Sequence, residues 1–462
     1  MFIGREKELK NLNDLYDTDK FQFPVIYGRR RVGKTALINE FVKDKDTIYF
    51  TGIETNAKQN LENFSKSIFD YTSGPNATPV FSSFQEALEY VFELAEKKRI
   101  VLVMDEYPYV AKSHKAMASM LQVLIDKQKD SSKLFIILCG SSMSFMEEQV
   151  LGYKSPLYGR RTSQFKILPF DFFESRNYFK NFSDLDVAAI YGMVGGTPQY
   201  LLQMNDSISL KENIKSKLLN TTSYLFEEPN NLLQQEVREP AIYNAIISAV
   251  ATGSTKLSEI SSKVGEGTSA CSAYLKNLIS LGIIKKETPF TKKTSKKTIY
   301  VIADNLFRFW YRFVPSNFSI IQKDMTDLAY KNIKEQLPSY MGAVFEEICK
   351  QYLWRLNKQG NAAITFTDLG RWWGNDPKNK CETEIDIMGT ADNKTALFCE
   401  CKWTNKKIDI EVLETLIERS RLFRYTKVHF YIFSKTGFTK GCVDKAIELG
   451  NVKLVTFDEM MK

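Results

Sequence analysis

Histidine is almost absent from this chain: His114 and His429 are the two in 462 residues. That scarcity excludes a histidine-rich zinc site and a histidine-based catalytic triad, so catalysis here has to lean on carboxylates, lysines, arginines and a metal ion. Long apolar runs are also lacking. The opening residues, Met1-Phe2-Ile3-Gly4-Arg5-Glu6, do not read as a signal peptide, and no later run reaches the length of a membrane helix. Seven cysteines, an odd number in a long chain, do not suggest a disulfide framework. Together these absences predict a cytoplasmic protein with reduced thiols and no membrane partner. The net charge of +8 permits nucleic-acid binding without requiring it. An apolar share of 44% and a charged share of 26% are those of an ordinary globular protein, long enough for about three domains.

What is present begins with Gly28-Arg29-Arg30-Arg31-Val32-Gly33-Lys34-Thr35. Two glycines separated by four residues, then Lys, then Thr, form the phosphate-binding loop pattern. Glycines let the backbone curl so that successive N–H groups point at phosphate oxygens. Lys34 reaches the terminal phosphates, and Thr35 offers a hydroxyl to Mg²⁺ at the positive end of a helix. Pro24–Tyr27 reads as the buried strand before the loop and Ala36–Val42 as the amphipathic helix after it. The eight loop residues and Ala36 are therefore the candidate nucleotide-binding residues. The three loop arginines admit two readings, pairing with an acidic lid or plain solvation.

A second apolar run, Ile100–Met104, delivers Asp105 and Glu106 at its C-terminal end, where ligands of parallel sheets sit. Asp105 is expected to hold Mg²⁺, and Glu106 to orient the attacking water. Further strands are expected at Thr47–Thr51, Leu134–Cys139 and Phe165–Leu168. The second of these runs ends in Gly140-Ser141-Ser142, where Ser141 or Ser142 is placed either to contact the γ-phosphate or the lytic water, or simply to end the strand. Strands alternating with helices imply a parallel sheet covered on both faces.

Phe2–Leu9 is similar to the adenine-side motif that precedes the loop in AAA-plus-related and STAND-class ATPases. With Ser155–Arg161 and Gly195–Leu201, the chain resembles over nearly its whole length the archaeal-type ATPases that carry a winged helix and a nuclease-like C-terminal domain. The resemblance implies that Gly4 and Arg5 lie near the nucleotide and that Pro198 lies in a helical lid against the base. It also implies that Arg160 or Arg161 senses the γ-phosphate.

After Asp171 the sequence turns helical, broken at Pro229-Asn230-Asn231. Helices are expected at Ala241–Val250, Lys256–Ser261 and Ser269–Ile279, the last stopped by Gly282. A lysine-rich hairpin tip (Lys292, Lys293, Lys296, Lys297) and a strand at Thr298–Ile302 follow. Three helices and a hairpin are the winged helix-turn-helix order. The wing either contacts DNA phosphates or is a solvated tip.

The last third places Asp386 on one strand and Glu400 and Lys402 on the next, with Asp392-Asn393 as the turn. Strand alternation puts Glu400 and Lys402 on one face. Two carboxylates and a lysine so placed suit metal-assisted phosphodiester hydrolysis, with Asp386 and Glu400 on Mg²⁺ or Mn²⁺ and Lys402 orienting water. The order of helix, Asp strand, Glu-x-Lys strand and helix resembles the PD-(D/E)xK nucleases, and the likeness implies Glu346 as a further metal ligand. Cys399 and Cys401, on the opposite face, read as small buried hydrophobes.

The expected fold class is α/β: a phosphate-loop NTPase domain (1–170), a helical lid (171–238), a winged helix (239–305), a linker (306–335) and a restriction-endonuclease-like domain (336–462). The expected function is an ATP- and Mg²⁺-dependent ATPase coupled to a DNA-binding or DNA-cleaving module. The alternative is an ATP-gated switch whose C-terminal parts only bind DNA or protein.

Overall fold

The computed structural model describes residues 2–74, 79–290 and 297–462. It falls into two compact units: Met1–Phe170 with Gly196–Leu202, and Asp171–Gly195 with Gln203–Lys462.

The first unit is built on a five-stranded sheet in the order β2-β3-β4-β1-β5. Its strands are β1 (Pro24–Tyr27), β2 (Thr47–Thr51), β3 (Val101–Asp105), β4 (Phe135–Gly140) and β5 (Ser163–Lys166), all paired in parallel. Every residue of β1, β3 and β4 is buried, as a parallel sheet with both faces covered requires. One face packs on Phe64 and Phe92, the other on Leu37 and Phe41. The strand expected at Phe165–Leu168 begins two residues earlier, because β5 takes its register from β1 through Pro24 and Ser163. Helix α1 (Lys34–Val42) follows the phosphate loop.

In the second unit, α2 (Pro240–Ala251), α3 (Leu257–Val264) and α4 (Thr268–Ser280) precede an antiparallel pair, β6 (Ile284–Glu287) and β7 (Ile299–Ile302). They share one apolar core around Ile246, Ile260 and Leu275. Of the hairpin lysines, Lys292, Lys293 and Lys296 lie outside the described residues. Lys297 donates to Asn375 Oδ1 at 3.4 Å.

Two expectations fail in this unit. Pro229 does not break the chain; it sits inside a helix, Tyr224–Glu236, buried beside Leu225, Leu232 and Leu233, so tertiary packing outweighs the lost N–H. The segment 306–335 is not a linker either. All of it but 322–325 is helical, in α5 (Asn305–Ile321) and α6 (Thr326–Lys358), and Phe307, Phe309 and Phe313 are core side chains.

The C-terminal sheet has the order β12-β11-β10-β9-β8. Its strands are β8 (Leu369–Asp376), β9 (Cys381–Thr390), β10 (Thr395–Lys402), β11 (Lys427–Ser434) and β12 (Val452–Thr456). β8, β9 and β10 are antiparallel neighbours, while β10, β11 and β12 run parallel. Asp392 accepts from the Lys394 and Thr395 amides and so closes the β9–β10 turn. Helix α6 packs on β9 and β10, and α7 (Ile410–Ser420) covers the other side with α8 (Lys440–Leu449). Cys399 and Cys401 are buried in the core beneath α6. Among the described residues, no helix is long and apolar enough to cross a membrane.

Candidate functional site

In the first unit the phosphate loop is shaped by what surrounds it. A Cβ on Gly28 would stand 2.3 Å from the Ile167 carbonyl oxygen, and Gly33 adopts φ +90°. Gly28→Ala should therefore lower the melting temperature and weaken nucleotide binding, since a backbone atom cannot step aside as a side chain can; overpacking of this kind typically costs about 1–3 kcal/mol. A thermal melt with and without nucleotide checks this.

Lys34 is buried and donates from Nζ to the Gly28 and Arg29 carbonyls at 2.9 and 3.0 Å. Burial lowers its pKa, while Cys139, Glu106 and Asp105 act against that. Thr35 Oγ1 donates to Asp105 Oδ2 at 3.2 Å. Asp105, itself buried, also accepts from Tyr49 OH at 3.0 Å and, through Oδ1, from the Glu106 amide at 2.9 Å. Glu106 has φ +49°, and its carboxylate accepts from Ser141 Oγ at 2.9 Å. Loop, β3 and β4 thus bring Lys34, Thr35, Asp105, Glu106 and Ser141 together. Thr35 and Asp105 are hard oxygen donors that fit a Mg²⁺ ion.

Other residues named from the sequence are placed with varied closeness. Arg5 donates to the carbonyls of Val32 and Leu168, and its guanidinium lies 4.3 Å from the Phe170 ring centroid. A Cβ on Gly4 would stand 2.6 Å from that ring. The N-terminal segment is thereby tied to the back of the loop. Pro198 lies beside Gly33, whose built Cβ would be 3.6 Å from Pro198 Cγ. Arg29 is buried and donates to Thr197 Oγ1 at 2.7 Å, so it is not a solvated charge. Arg30 donates to Tyr109 OH at 3.0 Å. Arg31 has φ +72°. Arg160 is held by Asp126 at 2.6 Å, and Arg161 donates to the Leu151 carbonyl at 3.4 Å. Ser142 stands at the N-cap position of the short helix after β4, without a side-chain capping hydrogen bond.

In the second unit, pairing of Cys399 with Ile387 sets Asp386 and Glu400 next to each other across β9 and β10. Asp386 accepts from the Cys401 amide at 2.8 Å. Glu400, 6% exposed, takes Lys402 Nζ at 2.5 Å and Arg419 at 3.4 Å. Glu346 reaches the group from α6. Burial, then the charge of Asp386, pushes Glu346 up to about 7; burial, then Glu400, pushes Asp386 up to about 6. Buried carboxylates that repel one another are a donor set a divalent cation relieves. Among the described residues, however, no three Asp, Glu, His or Cys side chains are grouped as a complete metal site.

Sequence reasoning missed Tyr49, Tyr109, Thr197, Arg371, Glu384 and Arg419. Arg371 pairs with Glu384 beside the acids, and Arg419 donates to the Glu384 carbonyl at 3.0 Å. Thr197 was visible inside the Gly195–Leu201 motif. The others come from parts of the chain that nothing in the local pattern joins.

Residues 2–204 match the family described as an ATPase domain predominantly from Archaea, and residues 310–413 match archaeal and bacterial proteins of unknown function. The chain is 36% identical over 409 residues to the uncharacterized protein MJECL04 of Methanocaldococcus jannaschii, covering 88% of each. It is 24% identical over 274 residues to an uncharacterized ATP-binding protein, PYRAB09480, of Pyrococcus abyssi, covering 49% of this chain and 79% of that one. The Walker-type ATPase PABY2304 of Pyrococcus abyssi has a similar fold, with TM-score 0.50 and 19% identity over 67% of this chain and 96% of that one.

Proposed function

We propose that this chain, which belongs to the same family as the Methanocaldococcus jannaschii protein MJECL04 and carries an archaeal-type ATPase domain, hydrolyses ATP and couples its nucleotide state to a nucleic-acid-processing second unit. The observation that carries the reading is the buried Asp105 carboxylate, which gathers the Thr35 hydroxyl, Tyr49 and the Glu106 amide at the mouth of the loop. Thr35 and Asp105 would hold Mg²⁺, which would neutralise charge on the β- and γ-phosphate oxygens. Lys34 leaves the two loop carbonyls for the phosphates. Glu106 leaves Ser141 and accepts a hydrogen bond from the attacking water. Water adds to the γ-phosphorus, the bond to the β–γ bridging oxygen breaks, and ADP and phosphate leave with one proton released. The test is direct: the purified chain is given Mg·ATP and followed for bound nucleotide and released phosphate. No uptake of ATP sinks the reading.

In the second unit we read α2–α4 with β6 and β7 as a winged helix, and β8–β12 with α6 and α7 as a nuclease-like domain. Asp386 and Glu400, with Glu346, would hold Mg²⁺ or Mn²⁺, and Lys402 would orient water toward a DNA phosphodiester. Water adds to phosphorus, the bond to one sugar oxygen breaks, and that oxygen takes a proton. A binding-only second unit is the competing reading. It is favoured by one observation: among the described residues, no three Asp, Glu, His or Cys side chains are grouped closely enough to hold a metal ion. Mn²⁺-dependent cleavage of DNA by the full chain separates the two.

A further inference from the structure

The acidic site has a roof. Glu346, Asp386 and Arg371 line a cavity of about 260 Å³ whose other walls include Lys285 on β6, Tyr300 on β7 and Arg308 on α5. The chain continuing from β6 is fastened to the edge strand β8. The Phe290 amide donates to the Arg371 carbonyl at 3.0 Å. The Phe290 ring packs on the core of the sheet and lies so close to Gly370 that a Cβ there would stand 2.8 Å from it. Lys285 also reaches Glu347 on α6 at 3.8 Å.

Two guanidinium groups line this cavity with unmet hydrogen-bonding capacity. Arg371 pairs with Glu384, and Arg308 donates to the Ile302 carbonyl at 2.9 Å. Each keeps one buried N–H that meets no protein acceptor, Nε on Arg371 and Nη1 on Arg308. Such groups are costly to bury unless something accepts from them. A phosphate bearing two free oxygens can accept from both, and a planar guanidinium suits it.

We infer that the cavity receives one phosphodiester of a single DNA strand, held by Arg371 and Arg308 beside the acids, and that the chain fastened to β8 through Phe290 refuses intact duplex. Pockets for drug-sized ligands run from about 300 to 1,000 Å³, so this smaller one has room for a single phosphodiester group and little more. A duplex, whose major groove alone is about 12 Å wide, does not enter such a space. The inference rests on the reading that the second unit acts on nucleic acid.

The test gives the full chain, with Mn²⁺, one labelled DNA sequence as a single strand and as a blunt duplex. The single strand should be cut roughly tenfold faster or more, a difference of about 1.4 kcal/mol in barrier. Phe290→Ala, and independently Gly370→Ala, which pushes the ring off its seat, should raise duplex cleavage and shrink that ratio. Duplex cut by wild type as fast as single strand overturns the inference. If neither substrate is cut, hydrolysis is what fails, and strand choice is read by fluorescence anisotropy with Ca²⁺. There Arg371→Ala and Arg308→Ala should each weaken single-strand binding by about tenfold, the loss of one charge-assisted hydrogen bond. Single-strand binding unmoved by both, in variants that melt like wild type, overturns the inference.

Discussion

Lys34→Ala should reduce ATP turnover by about 100-fold or more, the usual loss when one preorganised donor to a developing phosphoryl charge is removed. Lys34 is the ammonium group buried inside the loop, held by the Gly28 and Arg29 carbonyls. Removing it has a second consequence. Those carbonyls lose their donor, which costs about 1–3 kcal/mol where water cannot replace it. A melting curve must therefore accompany the rate. Lys34→Met keeps the stem volume and separates the two effects: if Met restores the melt and turnover stays lost, phosphate contact is the cause. Turnover unchanged in a folded Lys34→Ala protein would exclude this loop as the site.

The second large effect is on the C-terminal site. Asp386→Ala and Lys402→Ala should each abolish metal-dependent DNA cleavage while ATP turnover persists. The two substitutions differ in structural cost. Asp386→Ala strips the buried Cys401 amide of its acceptor. Asp386→Asn retains an acceptor and weakens the metal ligand, so it isolates the chemistry. Lys402→Ala leaves Glu400 paired with Arg419, and the fold should tolerate it. Cleavage by both variants at the wild-type rate would refute the nuclease assignment.

How much of this was legible beforehand follows from how local the signal is. β1, the loop and α1 are one continuous pattern of apolar run, glycines and amphipathic helix, and the structure places them where the spacing says. The β9–β10 hairpin was readable for the same reason, through its alternation and its Asp392 turn. β8 was not. Leu-Gly-Arg-Trp-Trp-Gly-Asn-Asp does not alternate cleanly, and its register slips between Gly370 and Trp372. Arg371 was invisible with it. Tyr49 sat in an expected strand, yet only the pairing of Thr51 with Asp105 puts it beside that carboxylate. Pro229 misled because proline usually ends a helix; here burial among leucines keeps the helix intact. The segment 306–335 misled because Pro315 falls inside its first helix, where proline usually marks a break.

The short return of the chain at Gly196–Leu202 bears on how the protein can be dissected. Those seven residues belong with the nucleotide unit, although 171–195 before them do not. Gly196 accepts the Phe170 amide at 2.8 Å, and a Cβ on it would collide with the Phe170 carbonyl. Thr197 and Pro198 serve Arg29 and Gly33. A fragment cut after residue 170 would contain every loop residue and still leave Arg29 without its hydroxyl partner. An autonomous ATP-binding fragment has to run past Leu202, and so must take with it a stretch that folds elsewhere.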